Sequence, residues 1–271
     1  MPHAGNSSAT LSPLHLADDR SPIAEDQSAG WLKIDFHLHA SEDPFDELDH
    51  SAFDLLHKAR SLGFGALAIT LHSHVLTRQE VFDAARELGI LLIPAAEMRL
   101  EGADVVIVNL CEEEAAELRR LRDLEGLRKR RGDSVFIFAP HPFYILGGSI
   151  GSHRLIEHID LFDAVELSHF HTRFLNPNRN AYAIAERFGK PLLATSDAHR
   201  LDFFGDHYTL VDVGAGTGGN ATTPEAIFNA IRAGAFRSVS PPWPLPRFLQ
   251  YAWWVLAVHE FRLLQARIAG H

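Results

Sequence analysis

Seven short apolar runs, separated by longer amphipathic stretches, constrain this chain more than any other feature of its sequence. They are Leu32–Leu38, Ala66–Thr70, Ile90–Ala95, Val105–Leu110, Val135–Ala139, Ala164–Leu167 and Pro191–Thr195. The segments between them carry helical periodicity. Ser51–Leu62 places Phe53, Leu55, Leu56 and Ala59 on one face, with Ser51 as its N-cap and Gly63 as its stop. Arg78–Leu88 ends at Gly89, the long charged segment Glu112–Arg131 ends at Gly132, and Ser152–Ile159 and Asn178–Phe188 follow. Strand, helix, strand in repetition implies parallel pairing, which closes most economically into a barrel or a doubly wound α/β sheet. Thr223–Ala233 adds a helix, and Phe236–Val239 a last strand-like segment.

At 271 residues the chain suits one barrel domain with tails. Residues 1–29 are rich in Ser, Ala, Pro and Asp without period and read as a flexible tail; residues 30–240 form the barrel. Residues 241–271 open with the Pro-rich turn PPWPLPRF and continue as a helix carrying Tyr251, Trp253, Trp254, Phe261 and Leu264. Its aromatic face is expected to pack on the barrel, with an interfacial membrane or dimer helix as the other reading. The longest apolar run, near Tyr251–Val258, is too short to cross a bilayer. A net charge of −10 disfavours nucleic acid as a partner, except as a short oligonucleotide substrate. The single cysteine, Cys111, and an N-terminus without signal-peptide order predict a cytoplasmic protein.

The chemistry-bearing residues fall at the C-terminal ends of the predicted strands, where α/β sheets assemble their sites. After the first strand come His37 and His39, two apart and so on one side of an extended chain. His72 and His74 follow the second strand, and Glu97 the third. His141 lies between two prolines after the fifth, and Asp197 and His199 follow the seventh. Mixed imidazole and carboxylate donors suit zinc, manganese or iron rather than magnesium or calcium. Two or three such ions can clamp a phosphate and activate water, which points to phosphoester hydrolysis.

The segments HLHASEDP, LAITLHSH, LIPAAEMRLEG, APHPF and TSDAH, in that order, resemble the PHP (polymerase and histidinol phosphatase) family, over about residues 31–240. The stretch SEDPFDELDHSAFDLLHKARSLGFGALAIT is similar to stand-alone bacterial members. The resemblance implies a distorted seven-stranded (β/α) barrel with a trinuclear site. It also implies that His37, His39, Glu97 and Asp197 hold one ion, that Glu97 bridges to a second bound by His141, and that His72 and His199 hold a third. Glu42 or Asp43 is available to complete the third site, Asp43 being slightly favoured.

The family's polar residue before the second-strand histidine is Leu71 here, and the histidine expected after the fourth strand is absent, the chain reading Val108-Asn109-Leu110-Cys111. Asn109, Cys111, His169 or His171 is then needed to complete the second ion. His169 and His171, after the sixth strand, are also candidates for substrate phosphate, as are Arg173 and Arg200; His72 and His199 are candidate catalytic groups. His57, His153, His158, His207 and His259 are left as structural or surface residues, and the basic residues between Arg119 and Arg131 as a solvated face. The expected activity is that of a metal-dependent phosphoesterase acting on a small phosphorylated metabolite or nucleotide by a metal-activated hydroxide. An amidohydrolase-type enzyme cleaving C–N or C–O bonds, and a degenerate barrel that only binds, are the alternatives.

Overall fold

The computed structural model describes residues 30–144, 148–214 and 222–259. The predicted tail 1–29, and Phe261 and Leu264 of the predicted last helix, lie outside them. One nine-stranded sheet, in the order β7-β6-β5-β4-β3-β2-β1-β8-β9, curls into a nearly closed barrel with the helices around it. Its strands are β1 (Trp31–Asp35), β2 (Ala66–His72), β3 (Leu91–Leu100), β4 (Ala103–Val108), β5 (Phe136–Ala139), β6 (Ala164–Leu167), β7 (Leu192–Ala194), β8 (Tyr208–Asp212) and β9 (Phe236–Val239). The seven-stranded expectation omitted β8, whose Tyr208–Asp212 sequence alternates and gives no continuous apolar run.

The helices are α1 (Ala52–Ser61), α2 (Gln79–Glu87), α3 (Glu112–Glu117), α4 (Asp123–Arg131), α5 (Gly151–Glu157), α6 (Arg179–Phe188), α7 (Pro224–Arg232) and α8 (Leu245–Trp253), which runs into a π-helical turn, Trp254–His259. Ser51 caps α1 through a reciprocal pair: its hydroxyl accepts from Asp54 N, and its own N–H donates to the Asp54 carboxylate. The predicted long helix Glu112–Arg131 is broken, because the Asp123 carboxylate accepts from the backbone N–H of Arg119 and Arg120 and starts a second helix. The break lets Leu118, Leu121, Leu124 and Leu127 all face the core.

Among the seven predicted strands the parallel expectation fails at β4, and this failure matters for the site; β8 is likewise antiparallel to β1 and β9. β3 and β4 form a hairpin across Glu101-Gly102, both with positive φ (51° and 81°), the backbone that a tight two-residue turn between twisted strands demands. β4 therefore runs antiparallel to β3 and to β5, while β1–β2–β3 and β5–β6–β7 pair in parallel. The barrel's seam is closed by side chains. Thr209 Oγ1 accepts from Ala194 N and donates to Ala194 O, and Ser238 Oγ donates to Leu192 O at 2.6 Å. Tyr251 and Trp254 of the last helical segment pack on Leu48, Phe203 and Trp243, as expected of an aromatic face, while Leu249, Trp253 and Leu256 stay exposed. Among the described residues no helix is long and apolar enough to cross a membrane.

Candidate metal centre

Register places the first pair of donors. His72, the last residue of β2, lies beside Glu97 of β3, so imidazole and carboxylate leave neighbouring strands together, His72 Nε2 3.3 Å from Glu97 Oε2. Beyond β1 the chain stays extended, bridging Leu38 to Ala198, so His37 and His39 project to one side opposite Asp197 and His199. His37 Nε2 lies 3.5 Å from Glu97 and 3.4 Å from Asp197; the corresponding distances for His39 Nε2 are 3.5 and 3.2 Å. His141 Nε2 is 3.0 Å from the other Glu97 oxygen. His141 and Asp197 both adopt positive φ, 24° and 43°, a backbone that side-chain-bearing residues hold only where their surroundings compel it.

The rings are aimed by partners behind them. A carboxylate or carbonyl oxygen only accepts, so the imidazole nitrogen facing it carries the proton and the opposite nitrogen presents a lone pair. His37 Nδ1 donates to Glu166 Oε1 at 2.8 Å, His72 Nδ1 to Asp43 Oδ2 at 2.8 Å, and His199 Nδ1 to the Asp197 carbonyl at 3.1 Å. In the first two, Nε2 then points at Glu97. Glu166, at the end of β6, also accepts from Thr195 Oγ1 and His141 N, so one buried carboxylate ties together the ends of β1, β5 and β7. Asp35 does similar work, accepting from His37 N and Ser196 N.

The buried donor atoms His37 Nε2, His39 Nε2, His141 Nδ1 and Asp197 Oδ1 have no hydrogen-bond partner among the described residues. Orphaned polar atoms at this density cost several kcal/mol unless a ligand completes them, on the order of 1–3 kcal/mol each. Charge tells the same story. Burial opposes ionisation of Glu97 and Asp197, yet the facing histidines outweigh it and hold both carboxylates well below their ordinary range. Burial likewise opposes the charge on His39, but Asp197, Asp43 and Glu97 prevail and hold its pKa up at about 10. The pocket therefore demands positive charge, which protons provide in the ion-free chain and divalent cations provide when bound. Among the described residues four overlapping groups have ligand atoms within 4.8 Å of one another: His37 with His39 and Glu97, His37 with His141 and Asp197, His39 with His72 and His199, and Glu97 with Asp104 and His141. Imidazole and carboxylate donors in these groups fit divalent metal ions.

Asp104 is the residue that the sequence reading missed, and the antiparallel β4 explains why. The start of β4, not its end, lies at this face, so Val108–Cys111, where a further ligand was sought, stands at the far end of the strand from the clustered donors. Asn109 donates to Ser134 O, and Cys111 is exposed ahead of α3. Burial and the neighbouring Glu97 push the Asp104 carboxyl up to about 7, although Arg99 Nε sits 2.6 Å away. Gly148 leaves room for it: a Cβ there would lie 1.7 Å from Asp104 Oδ2. The Glu101-Gly102 turn was the signal that could have found this arrangement.

Other predicted residues are not brought to the centre. Glu42 turns away to accept from Ala52 N at the start of α1, while Asp43 faces His72 and His39. Asp46, also missed, stands 3.4 Å from His199 Nε2. His169 and His171 are buried against Phe170, Trp243 and His207, Arg173 is exposed, and Arg200 is paired with Asp202. His207, left as structural or surface, is fully buried.

Residues 176–236 match the PHP-associated family PHP_C. No curated protein matches the chain. Among solved structures, PsfC from Pseudomonas syringae is similar at a TM-score of 0.61 and 18% identity, over 82% of this chain and 96% of that one. A two-domain protein from Bacteroides vulgatus, containing a predicted PHP-like metal-dependent phosphoesterase, gives 0.57 and 18% over 77% of this chain, which spans 64% of that protein's length. The lesion-specific endonuclease PfuEndoQ from Pyrococcus furiosus gives 0.53 and 13%, over 87% of this chain and 71% of that one. The barrel is thus shared with a DNA-lesion endonuclease, and the expectation against nucleic acid rests on net charge alone.

Proposed function

We propose that this PHP-domain family protein is a metal-dependent phosphoesterase that hydrolyses a small phosphorylated metabolite or nucleotide. The observation that carries this reading is the set of buried, unpartnered donors, His37 Nε2, His39 Nε2, His141 Nδ1 and Asp197 Oδ1, gathered around Glu97. His37, His39, Glu97 and Asp197 would hold one ion. His141 and Asp104, with Glu97 between, would hold a second, and His72 and His199, with Asp43 behind His72, a third. Bound divalent cations supply the Lewis acidity and activated water that phosphoester hydrolysis requires.

The chain's own part is to fix this donor set. Glu166 and Asp43 hold His37 and His72 in one tautomer, and the apolar barrel interior, whose Phe138 ring centroid lies 6.4 Å from that of His37, backs the donors. His72, with 30% of its side chain exposed, and His199 stand at the open edge, where an entering phosphoryl group would meet them. The test is a panel of phosphomonoesters, phosphodiesters, amides and lactones offered to the manganese-, zinc- or iron-loaded protein. Phosphate release that is lost in His37→Ala is the expected result; turnover of amides or lactones alone, or of nothing, overturns the reading.

A further inference from the structure

Beside the metal centre lies a cavity of about 680 Å³, within the size range of small-molecule sites. Its walls are apolar and come from three places: Phe143 and Tyr144, just after His141; Phe170, after β6; and Phe248, Ala252 and Val255, from α8 and the turn beyond it. Tyr144 is the shared wall. Its ring centroid is 6.0 Å from that of His141 and 5.6 Å from that of Phe170. Phe170 in turn stacks on Phe248 at 4.1 Å. The cavity thus adjoins the centre through neighbouring rings, tilted at His141–Tyr144, edge-on at Tyr144–Phe170 and stacked at Phe170–Phe248.

The lip of the cavity is apolar as well. Phe174, Leu175 and Leu256 line it and are 96%, 61% and 58% exposed. Large side chains gathered and left bare at one opening mark a binding surface more than a folding need. Among the described lining residues the only charged one is the cation Arg179, and none is a carboxylate that would repel a phosphoryl group. The amide of Asn176, which could read a polar edge, already accepts from Asn178 N. Besides Arg179, Asn180, the Asn176 amide nitrogen and the Tyr144 hydroxyl, the walls offer ring faces and aliphatic carbons.

We infer that this cavity receives the leaving group of the substrate, and that the substrates are phosphoesters of a bulky apolar alcohol or phenol. The inference rests on the phosphoesterase reading and narrows it, since a sugar phosphate would leave these walls uncovered. The test is calorimetric binding of methyl-, butyl- and octylphosphonate to the manganese-loaded full chain, beside turnover of methyl and octyl phosphate. Each methylene buried in such a cavity strengthens binding by up to roughly fourfold, so octylphosphonate is expected to bind at least ~30-fold more tightly than methylphosphonate. Ala252→Trp, which fills the cavity from α8, brings that ratio close to one, and the milder Val255→Asn lowers it. Equal binding of the two phosphonates, or a ratio that survives both substitutions in folded protein, overturns the inference. A protein that turns over methyl and octyl phosphate equally fails this inference alone; one that neither binds a phosphonate nor hydrolyses any phosphoester fails the functional reading beneath it.

Discussion

Glu166 and His37 meet at 2.8 Å, Oε1 to Nδ1, wholly inside the barrel, and this contact sets which nitrogen of His37 faces the centre. Sequence reading gives Glu166 no role, yet the same carboxylate also holds Thr195 and the backbone of His141. Replacing it with glutamine keeps the volume and removes the charge. Glu166→Gln is expected to lower metal affinity by about 10–100-fold while the fold survives. Equilibrium dialysis against manganese, with circular dichroism as the control for folding, checks this; unchanged affinity counts against the orienting role.

Asp104 and Asn109 stand at opposite ends of one strand, and only the first is at the centre. Asp104→Asn is expected to reduce the bound metal by one equivalent per chain, whereas Asn109→Ala leaves the metal content unchanged. Elemental analysis of the two variants, purified side by side, reads the difference directly. The opposite pattern would return the missing ligand to the end of β4.

His169 and His207 are buried, and burial outweighs the pull of Asp197 and Glu166 on His169 while Arg247 adds to it at His207. Burial pushes His169 down to about 4 and His207 well below its ordinary value of 6.5, so both are neutral in the folded chain. Below about 6.5 the unfolded chain takes up protons that the folded chain refuses. Their contribution to stability is therefore complete above pH 6.5 and is lost as the pH falls towards 4, at up to ~1.4 kcal/mol per pH unit for each group. Urea denaturation of wild type and His169→Phe between pH 7.5 and 4.5 is expected to show a shallower acid slope in the variant. Parallel slopes would mean that His169 does not titrate in this window.

The barrel's seam depends on a hydroxyl. Thr209→Val keeps the shape of the side chain but leaves the buried Ala194 C=O without its Thr209 donor, and is expected to cost about 1–3 kcal/mol. The midpoint of chemical denaturation measures it. An unchanged midpoint would mean that Ser238, which also reaches Ala194 N, closes the seam alone.

Much of this architecture is legible in the sequence because it rests on periodicity. The apolar runs at Ala66, Val105 and Ala164 mark buried strands, and Ser51 with Asp54 marks the start of α1. His37, His39, Glu97 and Asp197 are legible for the same reason: each follows an apolar run, where a chain leaves a sheet. Strand direction is another matter. An apolar run reads the same in either sense, and only Glu101-Gly102 distinguishes a hairpin from a crossover, which is how Asp104 escaped notice. Orienting groups such as Glu166 are silent because their role is a contact between residues far apart in sequence. Arg173 and Arg200 have the right chemistry for phosphate, but exposure in one case and an ion pair with Asp202 in the other keep them from the centre.

Titrating chelator-stripped protein with Mn²⁺ while following phosphate release from phenyl phosphate tests the metal-dependent phosphoesterase reading most directly. The expected result is a rate that rises with metal bound, levels off at two or three equivalents per chain, and stays at background in Asp197→Ala. Metal-replete wild type that releases no phosphate from any mono- or diester, or activity that persists undiminished in Asp197→Ala, would contradict it.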